Sequence, residues 1–158
     1  MDVRIRPIRP EDKALLSWGL THLSEATIQR RFLTPKPRFT AAELRYLTEV
    51  DGHDHVALVA IDGDGDLVGV GRFVRLEDPA EAEIAIVIAD PLQGQGLGTR
   101  MGYELVEEAL RHGIERFTAA MHGDNRPAHA LMAKLSARLA SRRKAATWRT
   151  AAANSSAA

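Results

Sequence analysis

Three glycines in five residues, Gly94, Gly96 and Gly98, stand in Gln93-Gly94-Gln95-Gly96-Leu97-Gly98-Thr99, between an apolar run and an amphipathic one. The first turn of a helix carries unpaired N–H groups and a partial positive charge, and glycine lets an anion approach that backbone with no Cβ in the way. These residues suit a cradle for phosphate or pyrophosphate; the plainer reading is a tight strand-to-helix turn. Two nucleotide-binding forms fit poorly. The Walker pattern requires a lysine after its last glycine, and Thr99 follows Gly98. The dinucleotide fingerprint needs glycine where Thr99 stands, and an acidic residue on a second strand about 20 residues later, which is not evident.

Four other groups could do chemistry. Glu83 heads an otherwise uncharged strand, where burial would raise its pKa and suit a general base; its plainer role is a solvent-facing strand end. His122 is a second base candidate, because histidine titrates near neutrality. His53, Asp54 and His55 lack evident further partners for a metal and read as a polar loop. Asp62, Asp64 and Asp66 imitate the start of a calcium loop, but Leu67 and Phe73 occupy its sixth and twelfth positions, so the chelating end is missing. No metal is expected.

The elements that must position these groups follow from pattern. Residues 84–89 form an apolar run without alternation, as in a strand buried on both faces, and Asp90-Pro91 ends it. Leu97, Met101, Leu105, Val106, Ala109 and Leu110 recur at helical spacing, and Gly113 is placed to cap that helix. Before them, residues 3–9 alternate as an edge strand. Pro10-Glu11-Asp12 opens a helix with Leu15, Leu16, Leu20 and Leu23 on one face. Ser24 opens another helix, and Thr40 with Glu43 makes a capping box for a third. Residues 56–61 and 67–74 predict a hairpin across the aspartate-rich turn. After the glycine turn come a fifth strand over 116–121 and a helix on Ala128, Leu131, Met132, Leu135 and Leu139, with Asn125 as its natural cap. Two alanine-rich segments, 137–141 and 146–151, are expected as a ragged closing hairpin, or as an edge that a partner chain completes in a homodimer. One domain over 1–151 and a disordered tail over 152–158 are expected.

Composition narrows the class. The chain has 158 residues, 45% hydrophobic and 27% charged, and no cysteine, which excludes a disulfide framework, thiolate metal sites and a cysteine nucleophile. No apolar run approaches a membrane span and the N-terminus lacks a signal-type segment, so a cytoplasmic protein is expected. Residues 125–158 carry seven basic side chains and no acidic one, leaving an acidic body that would attract an amine. Aromatic residues are scarce and do not interleave with the basic run, so nucleic-acid binding is not expected.

Gln93-x-x-Gly96-x-Gly98 after an apolar strand ending in Asp-Pro resembles the acetyl-coenzyme A motif of the GNAT N-acetyltransferase superfamily. The opening Ile-Arg-Pro-Ile-Arg-Pro-Glu-Asp resembles that family's first strand and helix start. Arg30-Arg31-Phe32-Leu33, with Tyr46-Leu47-Thr48-Glu49-Val50-Asp51, looks like its bacterial protein-lysine acetyltransferase branch. The resemblance implies an α/β (α+β) fold over roughly residues 3–135. Its mixed, mostly antiparallel sheet of six to seven strands would be splayed between strands four and five, with helices on both faces. It also implies acetyl-CoA as co-substrate and a primary amine as acceptor. Main-chain N–H groups from Gln95 through Gly96, Leu97 and Gly98 to Thr99 would hold the pyrophosphate, with Gln93 and Gly94 completing the motif. Main-chain groups of Ile86, Val87 and Ile88 would bond the pantetheine arm. Asn125 would contact the cofactor, and Glu83 would act as base. Departures from the family pattern are Met132, where tyrosine commonly serves as general acid, and Ser136-Ala137 in place of Gly-Phe. Tyr46, Tyr103 or water would have to fill that role. The alternative is a coenzyme A-binding regulatory module without turnover.

Overall fold

A computed structural model describes residues 2–157, with side chains through residue 146. Its element order is β1 (Arg4–Pro7), α1 (Lys13–Thr21), α2 (Glu25–Phe32), α3 (Ala41–Thr48), β2 (His55–Ile61), β3 (Leu67–Arg75), β4 (Glu81–Ile88), α4 (Leu97–Arg111), β5 (Arg116–Thr118) and α5 (Arg126–Ala157). The described strands form one sheet in the order β1-β2-β3-β4-β5, antiparallel except for the β4–β5 pair. The mixed sheet and the edge position of β1 agree with expectation.

Strand alternation divides the core into two layers. Val56, Leu58, Phe73 and Ile84 face α4 and α5, packing with Leu105, Val106, Leu135 and Leu139. Ala57, Val59, Ile61 and Val70 face the other way, toward Ile8, Leu16, Leu44 and Leu47. Helix α4 approaches β3 closely: a Cβ on Gly71 would lie 2.9 Å from Met101 Sδ and 3.0 Å from Leu105 Cδ1. Gly113 takes φ +74 past the end of α4, and Ile114 N–H returns to Ala109 O at 3.0 Å, the expected C-terminal cap. The capping box at Thr40 and Glu43 forms as read.

The closing hairpin is corrected. Residues 137–141 and 146–151 are helical, within α5, so the described residues make five strands and not six or seven. Alanine is the strongest helix former and a poor strand former. Leu135 and Leu139, four apart, are buried against α4, and Arg142 makes two hydrogen bonds to Glu107 at 2.9 and 3.0 Å. The expected disorder of residues 152–158 falls beyond the residues whose side chains are described. No helix among the described residues is long and apolar enough to cross a membrane.

A partly buried ion pair ties the N-terminal strand to the turn before α1. Arg6 donates to both Asp12 oxygens at 2.7 and 2.8 Å, and Arg9 N–H adds a third bond at 2.8 Å. The Arg6 guanidinium holds the Asp12 carboxyl below its ordinary pKa of 3.8, against burial, which pushes it up. Because the folded pKa is depressed, this stabilisation is present above pH 3.8 and is lost as pH falls through the lower folded value. Asp12→Ala is expected to cost about 3 kcal/mol by urea unfolding at pH 7. The difference from wild type should shrink in acid.

Candidate active site

Strand β5 pairs with β4 only at Glu81, Ala82 and Glu83, and ends at Thr118. The expected strand over 116–121 is therefore half that length; Ala119 and Ala120 are weak strand formers and diverge. From Ile84 to Ile88, β4 is bonded to β3 but has no strand on its other edge. The sheet opens here, as expected between its fourth and fifth strands. A cavity of about 370 Å³ occupies the opening, lined by Glu83, Ile84–Ile88, Gln93, Gly94, Gly96, Gly98, Thr99 and Asn125. The opening also explains why Ala85–Ile88 are half-buried and not enclosed on both faces.

The glycine turn is shaped as an anion cradle would be. Gly94 has φ +75 and Gly96, the N-cap of α4, has φ +87, both in the left-handed region that favours glycine. Arg100 N–H donates to Gly96 O at 3.0 Å, while among the described residues the N–H groups from Gly94 to Thr99 have no backbone partner. Gln95 and Leu97 flank Gly96, but of residues 94–99 the glycines and Thr99 are the ones that line the cavity; Leu97 is buried in the core and the Gln95 side chain bonds Pro91 O at 2.9 Å. Gln93 turns inward: its Nε2 donates to Ile88 O at 3.0 Å and Thr27 Oγ1 at 3.1 Å, clamping the turn to the end of β4.

Asp90 does more than stop a strand. Its carboxylate accepts from Ser24 N–H (3.0 Å), Ser24 Oγ (2.7 Å) and Thr27 Oγ1 (2.7 Å), pinning the start of α2 beside the glycine turn. Burial pushes the carboxyl up, but the bonds from Ser24 and Thr27 outweigh it and hold the pKa below its ordinary value. Asp90→Ala is expected to destabilise the fold by about 2 kcal/mol in denaturant titration. It should also raise the KM for a cofactor held by the turn. The Asp-Pro pair was legible only as a breaker, because its partners lie more than 60 residues away.

Asn125 Oδ1 accepts from Ala128 N–H at 3.3 Å, so the residue caps α5 while lining the cavity. His122 is exposed on the preceding loop, 3.5 Å from Gln29 Nε2, and is not among the lining residues. Glu83 lies at the cavity wall, exposed, where β5 begins to part from β4. Met132 lines the cavity and no tyrosine does; Tyr103 lies instead beneath Arg138, 4.6 Å from its guanidinium carbon.

Two arginines to which the sequence pattern assigns no role at the site are Arg31 on α2 and Arg72 on β3. Arg31, from α2, reaches the cavity wall; burial pushes its pKa down and the Glu83 carboxylate pulls it back up. Arg72 is 5% exposed, on the α1–α3 side of the sheet, donating to Leu47 O at 3.2 Å and His55 Nε2 at 2.8 Å. Burial, then the charge of Arg31, lowers Arg72 to about 10. Burial, then Arg72, lowers His55 to about 4, so its imidazole is neutral near neutrality and accepts from Arg72. His55 belongs not to the polar loop that its sequence neighbours suggest but to β2, as its buried first residue. No group of three or more histidine, aspartate or glutamate side chains among the described residues is placed to hold a metal.

Comparison with known proteins extends this geometry. Residues 2–138 match the family model described as the acetyltransferase (GNAT) domain. Acetyltransferase Pat from Mycolicibacterium smegmatis is 35% identical over 135 residues, covering 84% of this chain, which spans only 40% of that protein. The GNAT domain of S. lividans PAT superposes with a TM-score of 0.79 at 27% identity, covering 84% of this chain and 80% of that one. The fold of yncA from Salmonella typhimurium, a structure containing its cofactor acetyl-CoA, superposes with a TM-score of 0.69 at 20% identity, covering 84% and 78%. The match over residues 2–138 and the 35% identity to Pat show that the chain belongs to the GNAT acetyltransferase family.

Proposed function

We propose that this chain transfers an acetyl group from acetyl-CoA to a primary amine by direct attack. The observation that carries the proposal is the single cavity joining the unpaired edge of β4, the free N–H groups of the glycine turn and the Glu83 carboxylate. Acetyl-CoA would fit it. Gly94–Thr99 would hold the pyrophosphate by main-chain N–H groups, Ile86–Ile88 would bond the pantetheine arm along their open edge, and Asn125 would contact the cofactor from the other wall. Bound there, acetyl-CoA supplies the activated acetyl group as a thioester. Glu83 takes the proton from the acceptor amine. A main-chain N–H of β4 stabilises the negative charge that builds on the carbonyl oxygen. Holding both partners in line supplies much of the rate.

No tyrosine lines the cavity, and Met132 stands on its wall. A thiol has a pKa near 8.5, so it can depart as thiolate and take its proton from water. The same observation favours a second reading, a coenzyme A-binding regulatory module without turnover. Calorimetry with acetyl-CoA, free coenzyme A, ATP and NAD tests the site: heat with both coenzyme A forms is expected, and none would overturn the reading. Thiol release over a panel of amines and lysine peptides then separates enzyme from sensor.

A further inference from the structure

A second cavity, of about 330 Å³, lies across the sheet from α4, between β3, β4 and the helices α1 and α2. It shares Arg31, Ala85, Val87 and Leu92 with the first, so the two meet at β4. Strand parity puts Glu83, Ala85 and Val87 on one face of β4, and Arg72, opposite Ala85 in register, on the same face. The second cavity therefore meets the first along the face of β4 that also carries Glu83, which lines the first cavity and not the second.

Its walls have an unusual charge distribution. Leu20, Phe32, Phe39 and Val70 make the body apolar. At one end are two guanidinium groups, Arg31 and Arg72. Arg72 Nε is buried and has no hydrogen-bond partner. Arg31 has no salt bridge among the described residues, feels the charge of the Glu83 carboxylate and lies 4.9 Å from the Phe32 ring centroid. The cavity's carboxylates, Asp62 and Asp66, lie at the far end, at the turn before β3, where Asp62 is already engaged by Asp64 and Asp66 N–H. A buried donor without a partner is costly, and two neighbouring cations repel each other. An anion lodged beside them offsets the repulsion between the two guanidinium groups, and a cationic side chain arriving alone does not.

Resting on the acetyltransferase reading above, we infer that this cavity is the acceptor pocket and that it selects a small apolar amine carrying a carboxylate, with Arg31 and Arg72 holding the carboxylate while the amine faces Glu83 and the acetyl donor. A planar, always-charged guanidinium is the side chain suited to a carboxylate. The cavity's volume and apolar walls suit a small molecule. The two arginines are binding residues; they move no proton.

The full chain is assayed for thiol release from acetyl-CoA with matched acceptors: L-phenylalanine against phenethylamine, L-methionine against its decarboxylated amine, and a lysine peptide blocked at its N-terminus. The expected result is a kcat/KM for each amino acid roughly 10- to 100-fold above its amine partner, since losing one charged hydrogen-bonded contact costs on that order. Arg31→Met and Arg72→Met should shrink this preference, raising the KM for the amino acids several-fold more than for the amines; Arg72→Lys should recover part of it. Because Arg72→Met risks unfolding the chain, a second measurement uses wild type alone: phenylpropionate, which lacks the amine, should inhibit competitively against phenethylamine. Equal turnover of each pair, or preference for the lysine peptide, together with no inhibition by phenylpropionate, would overturn the inference while leaving acetyl transfer intact. Absence of acetyl-CoA heat in calorimetry would instead overturn the acetyltransferase reading, and this inference with it.

Discussion

Glu83→Gln is expected to lower kcat by about 10²- to 10⁴-fold, the usual contribution of a positioned general base, while cofactor affinity changes by less than about twofold. The residue is Glu83, second after the start of β4, at the last position where β5 still pairs. Beyond it the sheet opens, so the carboxylate stands at the edge of the cavity proposed to hold the cofactor. Its side chain is exposed, which lets an amine reach it, and Arg31 lies close enough for its charge to interact. Glutamine keeps the size and the strand but accepts no proton. Pre-steady-state thiol release gives the rate, and calorimetry gives the affinity in the same buffer. An unchanged rate would move proton removal to water, because His122 does not line the cavity. A matched loss of affinity would mean that the substitution disturbs the cleft and not the chemistry.

Gly96→Val is expected to abolish measurable acetyl-CoA binding, with the fold retained. Gly96 is the N-cap of α4 at φ +87, and no atom lies within 4 Å of where its Cβ would be. The obstacle is thus conformational: a β-branched residue in the left-handed region costs on the order of 1–3 kcal/mol, and the turn escapes that cost by rotating its peptide planes. Rotation turns away the N–H groups meant for the pyrophosphate, and the new methyls occupy the approach. Calorimetry should show no heat, and a thermal melt should show only a modest fall in Tm. Gly96→Ala should fall between. Normal binding by the valine variant would argue that the turn is structural and that the pyrophosphate lies elsewhere.

Local chemistry was legible from the chain alone. The Thr40–Glu43 capping box, the Ser24 cap, the Gly113 cap and the apolar stripe of α4 all formed as read, because each is decided within a few residues. So was the glycine turn, whose spacing announces both its backbone angles and its family. The alanine-rich terminus failed for a related reason. Family resemblance suggested strands there, whereas the residues themselves, rich in alanine with leucines four apart, favour the helix that forms. Local preference was the better guide.

Long-range partners were not legible. Asp90 looked like the end of a strand until the fold brought Ser24 and Thr27 to its carboxylate. Arg72 sits in an ordinary-looking strand, and nothing in its neighbours in sequence says that it will be buried beside His55 and near Arg31. What the sequence determined by itself is the glycine turn at Gly94–Gly98, the elements on either side of it, and a helix start whose free N–H groups suit an anion. Only the tertiary structure decided where β5 lets go of β4, and which charges face the cleft that results. Backbone angles and helix caps depend on neighbours along the chain; a cavity and its electrostatics depend on groups that meet only when the chain has folded.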